Sequence, residues 1–147
     1  RAVAGRAGNR NEKRKASMKI LQMSNITNIP IKKYDIHDRI YNFIIEVIKL
    51  TSILPKTESN QIIIKQVLRS ATSMGANDQE ADGTLTKKDF IHTYTITIVR
   101  KEGKETNFWL SLIIDTNPQI QVRASKILVE GREIVAILSS IINKTRK

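Results

Sequence analysis

The stretch from Leu68 to Leu110 reads LRSATSMGANDQEADGTLTKKDFIHTYTITIVRKEGKETNFWL and decides the fold. Leu68, Ala71, Ser73, Gly75 and Ala76 are apolar or small residues that let one helix approach another closely. Gly83 is a natural stop for that helix. Thr84 or Thr86 can open the next, with Asp89 placing a carboxylate near its first free amides. The second helix is expected to run to about Ile114.

One segment inside it argues the other way. His92 to Val99, HTYTITIV, alternates β-branched and polar residues, the period of a half-buried strand. A lone strand between helices has no partner here, so packing is expected to hold the segment helical, with room for a local bulge.

Working outward, Ile36, Ile40, Phe43, Val47, Leu50 and Leu54 recur at steps of three and four, one stripe of a helix that Pro55 ends. Thr57 or Ser59 can cap the helix that follows, whose stripe is Ile64, Val67, Ala71 and Met74. Beyond Asn117 and Pro118, a cap and a first-turn proline, Ile120, Ala124, Ile127, Gly131, Ile134, Leu138 and Ile141 keep strict spacing. Ala124 and Gly131 are small positions where a neighbouring helix can come close. A second stripe, Leu128, Val135 and Ile142, widens that face. Two readings remain open: self-association, or an inner helix touching two partners of its own bundle. The sequence therefore predicts four helices and an all-α chain.

Before Tyr34 the character changes. Residues 1–17 hold six bases, one acid and one large apolar residue, Val3, too little apolar surface to offset ordering entropy. Residues 1–33 are read as a basic, flexible extension preceding a bundle domain at 34–147. Met18 is the first methionine, which leaves residues 1–17 open as non-native.

Charge bears on partners. The chain has 25 Lys and Arg against 14 Asp and Glu, a net charge of +11 and a pI near 10.1. That balance fits contact with a polyanion, or a solvated surface kept for solubility. Cysteine is absent, which excludes disulfides, thiolate nucleophiles and Cys-ligated metal. Without a long apolar run or a signal-type stretch, a cytoplasmic protein is expected.

No chemistry-bearing motif stands out. His37 and His92 are far apart, neither with a second His at ligand spacing, so no metal and no cofactor is expected. An Asp89–His92 pair on one helix face reads as a structural contact, and Glu80, Asp82 and Asp89 read as capping residues. Phosphate-cradling glycine motifs are missing. The better candidates are bases: Lys87, Lys88, Arg100, Lys101 and Lys104 along one edge of the third helix, with Arg123, Lys126, Arg132 and the terminal Lys144, Arg146 and Lys147 on the fourth. Glu102 and Glu105 interleave, and Lys101 with Glu105 forms an i,i+4 pair, so a salt-bridged outer face is the competing reading. Aromatics are too few to predict stacking platforms for single strands. Binding to RNA or DNA, if made, is electrostatic, salt-dependent and weakly selective. Trp109 reads as a core anchor or an inter-subunit contact.

YDIHDRIYNF with LPKT after it, LRSATSMGAN with Glu80, KKDFIH, and KETNFWL together resemble the small four-helix bundle proteins encoded in intervening sequences of bacterial 23S rRNA genes. The resemblance covers about Tyr34 to Lys147. It implies an antiparallel up-down-up-down bundle in a ring-shaped homo-oligomer, commonly a pentamer, with a role in RNA or DNA binding and no catalytic residues. A distant branch, the accessory proteins of diversity-generating retroelements, suggests an alternative: a structural or protein-interaction scaffold in a reverse transcriptase-type complex. Two departures stand out. KDFIH and KETNFWL lie about two residues further apart than in that pattern, which would turn a helix by roughly 200°, and Gly103 stands where Ala is usual. Ser73, Gly75, Ala76, Trp109, Ala124 and Gly131 are the candidate packing or oligomer-interface positions.

Overall fold

The first two helices each begin at a residue whose side chain caps the first turn. α1 spans Ile36–Ser52, and the Asp35 carboxylate accepts the His37 amide ahead of it. α2 spans Glu58–Asp82, with the Thr57 hydroxyl accepting the Asn60 amide and Gly83 following its last turn. α3 spans Phe90–Thr116. A single 3-10 turn, Pro118–Ile120, then leads into α4, Gln121–Thr145. The computed structural model describes residues 35–83 and 90–145, the side chains of Phe90 and Ile91 excepted, together with Glu12 and Lys15, both exposed and helical. The expected N-terminal extension, the caps Thr84 and Thr86, and Asp89 otherwise lie outside the described residues.

Residues from Asp35 onward form one unit, a four-helix bundle without a strand among the described residues. The helices touch in cyclic order, α1 with α2, α2 with α3, α3 with α4 and α4 with α1; the two seams of α3 are long and those of α1 short. Along the α2–α3 seam, Asn60 meets Asn117, the Ser70 and Thr106 hydroxyls lie 2.8 Å apart, and the His92 ring nitrogen reaches the Ala81 carbonyl at 3.1 Å.

The core is aliphatic. Ile40, Phe43, Val47, Leu50 and Leu54 fill it from α1 and its end, as their spacing predicts. On α2 the buried line is Ile63, Val67, Ala71 and Met74, so Ile63 takes the place assigned to Ile64, which is only partly buried. From α3 come Ile96, Val99, Leu110 and Ile113, and from α4 Ala124, Ile127, Leu128, Ile134, Leu138 and Ile142. Full burial of each large aliphatic contributes about 1.5–3 kcal/mol relative to exposure.

HTYTITIV is helical throughout. Ile96 and Val99 are buried, so core packing overrides strand propensity, and the Thr97 hydroxyl is satisfied by the Thr93 carbonyl of its own helix. No bulge interrupts Phe90–Thr116. Core positions at 96, 99, 103, 106, 110 and 113 keep three- and four-residue steps straight through, so α3 presents one continuous inward face.

Asn117 departs from its expected role. It makes no cap hydrogen bond to the turn after it. Its side chain exchanges two hydrogen bonds with Asn60, at 2.8 and 3.1 Å, while the Asn60 amide also donates to the Pro55 carbonyl and Asn117 to that of Ile113. Both amides are buried, and together they join the α1–α2 loop to the α3–α4 junction.

The second stripe of α4 is used inside the chain. Leu128 and Ile142 are buried and Val135 packs beside Gly103. Of the two readings of that stripe, the structure takes the inner helix, and the argument for self-association from its width falls away.

Candidate nucleic-acid interface

On α3 the inward positions belong to Val99, Gly103, Thr106 and Leu110, which leaves Lys101 and Lys104 exposed on the opposite side and Arg100 half-buried toward its edge. Of the interleaved acids, Glu102 is half-buried with one carboxylate oxygen out of solvent, and Glu105, about 40° round the helix from Lys101, is already paired. Glu105 is turned toward α2, where the Arg69 guanidinium pairs with it and the Trp109 indole N–H donates to the same carboxylate at 3.3 Å. The expected Lys101–Glu105 pair is therefore absent, and the ion pairs among the described residues include neither Lys101, Lys104 nor Arg100. Side chains of one sign with no partner keep their field and are available to an anion.

The bases of α4 do not join them as one edge. Arg123, Lys126 and Arg132 are all exposed but occupy different sides. Arg123 leans toward α1, 3.9 Å from Glu46. Lys126 points outward with Val122 and Val129, and Arg132 lies on the flank nearer α3. Lys87 and Lys88 lie outside the described residues, as do Arg146 and Lys147.

Gly131 and Gly75 sit where neighbouring helices come close. A Cβ on Gly131 would overlap the Asn107 side-chain oxygen and come within 2.8 Å of the Phe43 ring. One on Gly75 would meet the tip of Ile44 at 2.6 Å. Ala124 is fully buried, Ser73 accepts a hydrogen bond from Asn77 through its carbonyl, and Ala76 is exposed beside Gly75. Trp109 packs against the core and meets the Phe108 ring in a T-shaped contact, centroids 5.0 Å apart.

Residues 32–140 match the family model described as 23S rRNA-intervening sequence protein. The chain belongs to that family. A crystal structure of a protein of unknown function from the S23 ribosomal protein family of Bacteroides thetaiotaomicron is similar to this family member. It is 30% identical, with a TM-score of 0.65, over 74% of this chain and 98% of the other. No curated protein matches the chain.

A cluster that the sequence did not single out lies where α1 starts. In this intervening-sequence protein the His37 ring reaches Asp78 on α2 through Nδ1, 2.9 and 3.0 Å from the two carboxylate oxygens, and its Nε2 lies 3.4 Å from Asp82 and 3.9 Å from Asp35. Burial alone would lower the His37 pKa, but the hydrogen bond to Asp78 and the three carboxylates outweigh it and raise the value above 6.5. Burial pushes the Asp78 carboxyl up, and the pull of His37 only partly offsets this. The cluster borders a mostly apolar groove of about 270 Å³ between α1 and α2, lined among others by Tyr41, Ile44, Thr72 and Gly75. His37 and Asp78 are 41 residues apart, so no local motif announces the pair. On the other flank of α1, Arg39 forms a two-pronged contact with Glu130, at 2.8 and 2.7 Å, and reaches Glu133 at 2.7 Å; these hydrogen bonds raise its pKa further and lock its charge.

His92, the other histidine, is engaged at the Ala81 carbonyl. Among the described residues no group of three or more His and carboxylate side chains is arranged to hold a metal ion, and no helix is long and apolar enough to cross a membrane.

Proposed function

We propose that this chain is a non-enzymatic, oligomeric bundle of the cytoplasm that binds RNA or DNA through charge, with little sequence selectivity. The observation that carries the reading is the separation of charge on α3. Arg100, Lys101 and Lys104 lack carboxylate partners among the described residues, while Glu105 is drawn to the α2 side by Arg69 and Trp109. The family's link to ribosomal RNA genes adds weight to a nucleic-acid partner. An antiparallel up-down-up-down course is supported by the α2–α3 contacts, which run from Asn60 with Asn117 to Ala81 with His92. A ring of subunits is what the family resemblance implies.

Fluorescence anisotropy with generic RNA and DNA duplexes at several salt concentrations tests the reading. Three phosphate contacts give a log–log salt slope of about −2.7, a loss of about 40-fold in affinity between about 50 and about 200 mM salt. A variant combining Arg100→Ala, Lys101→Ala and Lys104→Ala removes most of that slope. Failure to bind at low salt overturns the proposal and leaves a scaffold for a protein partner, the alternative suggested by the accessory-subunit resemblance. Light scattering gives the subunit number, and a monomer removes the oligomeric part.

A further inference from the structure

The outer meridian of α3 carries more than charge. At 100° per residue, Tyr94, Lys101 and Phe108 fall within about 40° of one line along the helix, and Lys104 lies about 40° further round. Tyr94 is 60% exposed and Phe108 55% exposed; Tyr41 on α1 is exposed as well, but the two α3 rings share one helix line with bases. Seven-residue steps of about 1.5 Å per residue place Lys101 about 10 Å from each ring along the axis. Phe108 is held against Trp109, and Trp109 is itself hydrogen-bonded to Glu105. One ring of the line is thus braced from behind, where a free side chain would lose rotamer freedom on binding.

From this arrangement we infer that the α3 meridian is a track for an unpaired nucleic-acid strand: bases stack on Tyr94 and Phe108, and the intervening phosphates meet Lys101 and Lys104. The inference rests on the proposed nucleic-acid reading and narrows it from duplex or strand to strand. Exposed rings alternating with bases fit a single strand, whose bases present free π-faces. In a duplex those faces are stacked away, and only the phosphates can be met. Charge complementarity selects the same occupant over an apolar protein partner, because Lys101 and Lys104 lie between the rings without a carboxylate partner, while Glu105 beside them is already paired with Arg69.

The test uses the full chain and a fluorescein-labelled oligouridylate of about twelve nucleotides, beside an RNA duplex of equal length. Phe108→Ala and Tyr94→Ala should each weaken strand binding by about 5- to 100-fold with the salt slope unchanged, and leave duplex binding as it was. Phe108→Tyr and Tyr94→Phe keep a stacking face and should restore strand affinity, which separates lost stacking from a disturbed fold. Lys101→Ala with Lys104→Ala should instead flatten the slope by about 1.4 on the single strand. If both alanine ring variants bind the strand as the parent does, while affinity still falls with salt, the track is refuted and the electrostatic reading stands. If the parent binds neither probe at low salt, both fall together.

Discussion

Gly131 and Gly103 occupy helix interiors on facing seams, yet the same substitution to alanine should have opposite effects. Alanine in place of helical glycine gains about 1 kcal/mol from reduced backbone entropy and better propensity. At Gly131 the new methyl would sit 2.8 Å from two carbons of the Phe43 ring and overlap the Asn107 side-chain oxygen. Phe43 is only 2% exposed, so its ring has nowhere to turn. Overpacking of a fixed core costs about 1–3 kcal/mol, and two obstructed neighbours place Gly131→Ala toward the upper end. The net expectation is a loss of about 1–2 kcal/mol, or roughly 4–8 °C in melting temperature for a domain of this size. At Gly103 the nearest atoms are 3.1 Å away on Val135 and 3.2 Å away at the end of Met74. A methionine terminus moves at little cost, so Gly103→Ala should be neutral or gain up to about 1 kcal/mol. Thermal melts followed by circular dichroism decide the matter. A Gly131→Ala protein that melts at or above the parent, or a Gly103→Ala protein that falls as far, would refute the packing argument.

Two more substitutions test the polar contacts. Asn117→Ala leaves the buried Asn60 side chain with only its bond to the Pro55 carbonyl and should cost about 1–3 kcal/mol in urea unfolding. In a cycle with Asn60→Ala the double variant should lose clearly less than the two singles combined, and simple additivity would count against the reciprocal pair. At the other end, the raised pKa of His37 stabilises the fold fully below its unfolded value of about 6.5, and the gain is lost as pH climbs through the folded value. Stability of the parent should therefore decline from about pH 6 to about pH 8 more than that of His37→Gln. Parallel profiles would show that the Asp78 contact does not bind the proton more tightly.

Much of this architecture could be read from residue spacing because apolar periodicity reports burial directly. Ile40 to Leu54 and Ile120 to Leu138 lie where their steps of three and four put them. Errors arose where a residue had two uses. Asn117 before Pro118 is a sound cap signal, but a buried amide 57 residues away claims the side chain. The strand-like alternation of HTYTITIV is overridden by the burial of Ile96 and Val99, while the Thr97 hydroxyl bonds back to its own helix. At the candidate site the sequence supplied the bases of α3 but misjudged their neighbours. Spacing alone pairs Lys101 with Glu105, whereas Arg69, 36 residues away, captures that carboxylate. Counting aromatics likewise concealed that Tyr94 and Phe108 share one line, because seven-residue register becomes visible only once the intervening segment is known to be helical.

The short seams of α1 carry a consequence for motion. α1 is held on one flank across an open apolar groove and on the other by the Arg39 contacts with Glu130 and Glu133, both partly in solvent. α2 and α3, by contrast, share a long seam with fully buried hydroxyl and amide bonds. With shorter seams on both flanks, α1 is expected to make the cheaper excursion from the native state. Hydrogen exchange should therefore reach the amides of α1 before those of α3, which shares long seams with both of its neighbours.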